Sequence, residues 1–267
     1  VRRLLVVVVS SALLAAGSCG RKPAPPEAPP DEPTGKEQPV PQDPEPVETP
    51  SQDAPQDGPA AGQLPSWIVD KPILWDEERR ELAKKYAEDH YGLDTIEIVP
   101  RMIVIHWTGG KSWKGAFNTF NKAKLAGRPF LQKYGKVNVS AHYLVARDGT
   151  VFKLMPDTLM GRHVIGLNHC AVGVENVGND DLTDEQLESN VNLAEHLATR
   201  YETIEYLIGH FEYLKFEGSA LFIEKHPGYR TKKKDPGKEF MKSLRERLEE
   251  RGVQLHCTPQ DLPVPVD

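Results

Sequence analysis

Cysteine is scarce in this chain. Three occur among 267 residues, at Cys19, Cys170 and Cys257, and none belongs to a CxxC pair. That spacing excludes an all-thiolate structural zinc site. Cys170 and Cys257 could pair in an oxidising compartment, or stand as a buried thiol and a tail thiol. A basic face is lacking too. The formal net charge is −6. Residues 20–65 alone carry nine acidic and three basic side chains, and the first nineteen residues carry +2, leaving −2 for residues 66–267. A nearly neutral folded part argues against a nucleic-acid partner held by phosphate neutralisation. The apolar run at residues 4–16 is too short to span a bilayer well. Residues 20–65 contain no aromatic side chain, so they cannot bury enough apolar area to offset their ordering entropy.

What is present divides the chain into unlike parts. Arg2 and Arg3 precede the apolar run, which ends in Ala16-Gly17-Ser18-Cys19. This has the layout of a secretory signal peptide at 1–19. Its end resembles a bacterial lipobox, which implies acylation of Cys19. Gly20 after the cysteine implies outer-membrane sorting, with the chain facing the periplasm. Residues 20–65 hold 14 of the 23 prolines, so a disordered tether of polyproline character is expected, reaching up to about 140 Å. Residues 66–267 have the length of one domain.

Hydrophobic periodicity within that domain predicts a helix at 76–90 and a strand at 102–106 buried on both faces. A second helix is expected at 112–126, with Ser112 as its cap. Residues 139–155 read as a hairpin around Asp148-Gly149, and 156–169 as a loop. A strand follows at 171–177, with Gly173 leaving room for a close approach. Thr183-Asp184-Glu185-Gln186 is a capping box opening a helix to Arg200. A short strand is expected at 204–208, then a last helix with Pro236 in its first turn. Strands alternate with helices, yet one hairpin is antiparallel. The expectation is an α/β single domain with a central mixed sheet flanked by helices. Its divisions are a helical extension at 66–98, a catalytic domain at 99–252 and a tail at 253–267.

Four side chains stand out. His106 ends the run Ile103-Val104-Ile105 and opens into Trp107-Thr108-Gly109-Gly110; His210 follows Gly209. Each can aim a ring nitrogen into a cleft, or be a satisfied half-buried histidine. Asp235 before Pro236-Gly237 can reach a metal or cap the following helix. Glu175 interrupts an apolar strand, where a carboxylate is costly and its pKa tends upward; the alternative is an edge position facing water. Lys232-Lys233-Lys234 is a solvated loop or supplies an oxyanion stabiliser. Two histidines, an aspartate and a buried glutamate are what a hydrolytic zinc centre requires.

In order, these strings resemble the type 2 zinc-dependent N-acetylmuramoyl-L-alanine amidases, the AmpD/AmiD-like family that includes phage lysozyme-type amidases and peptidoglycan recognition proteins. The matching strings are Ile103–His106, the hairpin from Ser140 to Gly149, Asn168 with Gly173-Val174-Glu175, Gly209-His210, and Lys233-Lys234-Asp235-Pro236-Gly237. The resemblance spans about residues 95–250. It implies Zn²⁺ held by His106, His210 and Asp235, with Glu175 as general base and Lys233 as oxyanion stabiliser. The bond it implies is the amide between the lactyl group of N-acetylmuramic acid and L-alanine. His142, His163 and Asn168 are expected to contact substrate; His169, His196 and His226 are expected on the surface. Two features depart from the family. The segment from His210 to Asp235 is longer than usual, and Arg162-His163 stands where Trp-His is common. The implied partners are peptidoglycan or muropeptides, and a membrane through Cys19. The chain is expected to be a monomer. The alternative within the same fold is a lipoprotein that binds peptidoglycan without cutting it.

Overall fold

The computed structural model describes residues 64–260. The signal segment, nearly all of the proline-rich tether and the end of the tail lie outside them. The expected single α/β domain is what is found. Six strands form one mixed sheet in the order β1-β4-β3-β5-β2-β6. They are β1 (Ile68–Asp70), β2 (Met102–Trp107), β3 (Tyr143–Val145), β4 (Val151–Lys153), β5 (Ala171–Asn176) and β6 (Tyr206–Gly209). β3, β5, β2 and β6 run parallel to one another, while β3 and β4 make the antiparallel hairpin. Gly149, at φ 84°, turns that hairpin.

Alternation along the strands sends side chains to two cores. Met102, Val104, Leu144, Ala171 and Ile208 pack with α1 (Glu77–Tyr91) on one face. Ile103, Ile105, Val145, Val174 and Leu207 pack with α4 (Asp184–Arg200) and α5 (Lys238–Glu250) on the other. The central strands are apolar on both sides because both faces are covered. Among the described residues, no helix is long and apolar enough to cross a membrane.

Local signals set most element ends. Asp76 caps α1 by accepting from the Arg79 amide at 2.9 Å, and Gly92 closes it at φ 73°. The Thr183–Gln186 capping box opens α4, and the Gln186 amide nitrogen also donates to the carbonyls of Val145 and Val177 at 3.2 and 2.9 Å.

Several expectations need correction. The helix expected at 112–126 is α2 (Trp113–Phe120), and Pro129–Gln132 forms a separate turn of helix, α3. Tertiary contacts cut α2 short. The buried Arg79 guanidinium takes the carbonyls of Phe120 and Lys122, and the Asn138 amide takes those of Thr119 and Lys122. The chain then runs extended, with the Leu125 amide donating to the Lys136 carbonyl at 2.9 Å. Pro236 lies outside the last helix, because Gly237 at φ 95° is its cap and cannot continue it. Residues 66–98 are not only helical, since β1 pairs with β4 at the sheet edge. The start of the tail is docked: the Leu207 amide donates to the His256 carbonyl at 2.9 Å, and Val253 and Leu255 pack on the core. Cys170 is buried and Cys257 half-buried, both as free thiols.

Candidate metal centre

The carboxyl ends of β2, β5 and β6 lie side by side, and the side chains in question leave from there. His106 and Glu175 are register partners on β2 and β5, so they point to the same face. His210 follows β6 at the start of a 3-10 helix, His210–Phe216. Gly209 is required at the junction: a Cβ there would lie 2.7 Å from Phe211, 2.9 Å from Pro236 and 3.0 Å from Met241. Asp235 arrives from the far end of the long segment, where its carbonyl accepts from the Phe211 amide at 3.1 Å.

These elements bring His106, His210 and Asp235 together. The two Nδ1 atoms are 2.9 Å apart, and Asp235 Oδ2 lies 2.9 Å from that of His210 and 3.3 Å from that of His106. All three residues are buried. A tetrahedral Zn²⁺ with ligands at about 2.0–2.2 Å separates neighbouring ligand atoms by about 3.3–3.5 Å. One edge of the triangle already meets that spacing, and the others need to open by roughly 0.4 Å. The donor set of two imidazoles and one carboxylate suits zinc.

The electrostatics follow from burial. It lowers the His210 pKa to about 4, against the raising effect of Asp235, so the ring is neutral at neutral pH. Burial pushes Asp235 up, but the two imidazoles packed against its carboxylate, His210 first, hold it well below the usual carboxylate range. Glu175 shares no hydrogen bond through its shielded Oε2. Burial raises its pKa to about 7, opposed by His106, reinforced by Asp235, and opposed again by Arg128 and Lys233. Such a carboxylate is poised to take a proton near neutrality. Lys233 is half-buried, and its charge is felt by both Glu175 and His210.

The expected substrate contacts are placed otherwise. His142 is fully buried, with Nε2 2.8 Å from the Leu159 carbonyl and Nδ1 accepting from the Gly173 amide at 2.9 Å. Asn168 is buried too; its Oδ1 accepts from the amides of His163 and Val164 at 2.8 and 2.7 Å. Neither presents a polar atom to a ligand. His163 reaches the centre, but against His106, with its Nδ1 3.1 Å from His106 Nε2. The contact had one trace in the sequence. Gly173 was expected to admit a close approach, and the His163 ring fills that space: a Cβ on Gly173 would lie 2.7 Å from its Cγ. His169, His196 and His226 are half-buried rather than on the surface. The reason is packing: the His169 ring bonds the Leu221 carbonyl at 3.0 Å, His196 meets the Trp67 ring, and His226 lies against His90 and Tyr134.

Fold and cluster together define an α/β domain with a His–His–Asp metal-type centre at its strand ends and an unpaired carboxylate beside it. The family model described as N-acetylmuramoyl-L-alanine amidase matches residues 97–238, a span holding every side chain of the centre. The chain belongs to the N-acetylmuramoyl-L-alanine amidase family. No curated protein matches it. Among solved structures it is similar to the N-acetylmuramoyl-L-alanine amidase LysC from Clostridium intestinale, at 20% identity and a TM-score of 0.46, covering 68% of this chain and 97% of that one. A selenomethionine derivative of AmpD is similar at 19% identity and a TM-score of 0.43, with 67% and 94% covered. Human PGRP-IBETAC, solved with a glycosamyl muramyl pentapeptide, is similar at 14% identity and a TM-score of 0.37, with 54% and 80% covered.

Proposed function

We propose that the chain is a zinc-dependent peptidoglycan amidase. It cleaves the amide joining the lactyl group of N-acetylmuramic acid to L-alanine of the stem peptide. The observation that carries this reading is the triangle of His106 Nδ1, His210 Nδ1 and Asp235 Oδ2 with the unpaired Glu175 carboxylate beside it.

His106, His210 and Asp235 would hold the ion. A zinc ion there would supply Lewis-acid polarisation of the scissile carbonyl and would acidify the attacking water. Glu175 accepts the proton of that water as its oxygen adds to the carbonyl carbon. It returns the proton to the alanine nitrogen as the C–N bond breaks. Lys233 places positive charge where the carbonyl oxygen becomes an oxyanion. Acylation at Cys19 and the proline-rich tether anchor this head to a membrane, in the outer membrane facing the periplasm. That arrangement suits a substrate that is a fixed network.

Mass spectrometry of purified sacculi tests the reading. Stem peptides with a free L-alanine amine are expected without chelator and not with it. Binding of sacculi with no release would instead make the chain a peptidoglycan-binding lipoprotein.

A further inference from the structure

His163 is held with unusual care for a loop residue. Its own amide and that of Val164 donate to the buried Asn168 side chain, which in turn donates to the Tyr91 hydroxyl at 2.9 Å. The preceding Arg162 is buried, and its guanidinium donates to the carbonyls of Leu131, Gly135 and Val137 and to the Tyr229 hydroxyl. The ring itself lies over Gly173, where no side chain competes.

Its two nitrogens have different partners. Nε2 is 3.2 Å from the Ala171 carbonyl, and Nδ1 is 3.1 Å from His106 Nε2. A carbonyl oxygen only accepts, so His163 Nε2 carries the proton and donates. His163 Nδ1 is then a lone pair that can only accept. It therefore takes the proton of His106 Nε2, which leaves His106 Nδ1 as a lone pair. That atom is the one facing His210 Nδ1 and Asp235 Oδ2 at 2.9 and 3.3 Å. One backbone carbonyl thus sets the tautomer of two successive rings. Because the nitrogens of an imidazole point apart, His163 is not a further ligand of the same ion.

We propose that His163 is the positioning residue of the metal centre: it fixes the ring orientation and Nδ1-ligating tautomer of His106 through an Ala171–His163–His106 relay. The inference rests on the reading of this site as a metal centre. Removal of such outer partners weakens metal affinity about 10–100-fold in comparable sites.

The test is zinc affinity by chelator competition on the full chain, with thermal unfolding of the metal-free forms alongside. His163→Phe keeps a ring over Gly173 but has no acceptor; about a 10–100-fold loss of affinity is expected. His163→Asn, whose Oδ1 can stand near the place of Nδ1, should regain most of it. His163→Gln, with its amide oxygen one bond further out, should not. Affinity in His163→Phe equal to wild type, with His210→Ala still abolishing uptake, overturns the relay alone. Equal losses in the Phe and Asn variants also overturn it, because packing rather than the acceptor would then matter. Absence of zinc uptake by the wild type overturns the relay and the metal reading together.

Discussion

His106 on β2 and Glu175 on β5 stand directly across a parallel ladder from one another. The proposed ligand and the proposed base are therefore carried by neighbouring strands of one ladder, so their backbones keep a fixed spacing. The arrangement has a cost, since burial raises the Glu175 pKa from its ordinary 4.5 to about 7. A carboxyl whose folded pKa is raised contributes full stability below its unfolded pKa and loses it as pH climbs through the folded value. Metal-free Glu175→Gln does not titrate there. Its stability relative to wild type should rise between pH 4.5 and 7, by up to about 3 kcal/mol, and then level off. Thermal unfolding of both forms across that range checks this; a constant difference would show that Glu175 is not desolvated.

The same substitution separates the base from the metal. Glu175→Gln and Glu175→Ala should bind zinc as wild type does and lose muropeptide hydrolysis by about 10²–10⁴-fold, the usual contribution of general acid–base catalysis. Undiminished turnover in either variant would remove Glu175 from the mechanism.

Much of this was legible beforehand, for physical reasons. The strand at β2, the Thr183 capping box and the Asp148-Gly149 turn are encoded within a few residues, so pattern reading reaches them. The cluster of His106, His210 and Asp235 was found by resemblance, because nothing local says that side chains 104 and 25 residues apart share one point. The end of α2 under Arg79 and the edge strand β1 were not legible, and the contact of His163 with His106 left only the trace at Gly173. Each is decided by a partner distant in sequence. His142 was misjudged because a histidine beside a tyrosine in a hairpin reads the same whether its ring faces a cleft or the core.

Gly209 is the backbone counterpart of the cluster. Gly209→Ala would place a methyl 2.7 Å from the Phe211 ring and 2.9 Å from Pro236, moving both the His210 and the Asp235 sides of the triangle. A destabilisation of about 1–3 kcal/mol is expected from such overpacking, together with zinc affinity weakened beyond what His163→Asn shows. Urea unfolding and chelator competition measure the two effects. Wild-type zinc affinity in this variant would mean that the junction tolerates displacement.

The long segment after His210 is stapled to α1. The His90 Nδ1 atom lies 2.9 Å from both carboxylate oxygens of Glu224, whose side chain is fully buried, and Nε2 lies 2.6 Å from the Tyr134 carbonyl. Both ring nitrogens face acceptors, so the imidazole bridges the Glu224 carboxylate of the segment and the Tyr134 carbonyl. Glu224→Ala leaves a buried ring nitrogen without its partner and should cost about 1–3 kcal/mol. Glu224→Gln, which still accepts from the His226 amide, should cost less. Urea unfolding ranks them; equal small losses would show that the pair is not what holds the segment down.

His142 is one source of acid sensitivity in the fold. Burial lowers its pKa from 6.5 to about 4, the Leu159 hydrogen bond and Asp157 only partly opposing. With both nitrogens engaged inside the core, the ring stays neutral when folded and takes up a proton when unfolded. A depressed folded pKa means stability that is complete above the unfolded value and lost as pH falls through the folded one. His142 should therefore remove up to about 3 kcal/mol between pH 6.5 and 4. His142→Gln cannot take up that proton. It should be less stable than metal-free wild type at pH 8, because a packed ring and its hydrogen bonds are disturbed, yet its stability should fall less steeply on acidification. Unfolding free energies for both chains at several pH values decide the matter. Parallel curves would mean that the buried ring is protonated in the folded chain as readily as in the unfolded one, which its two hydrogen bonds do not allow.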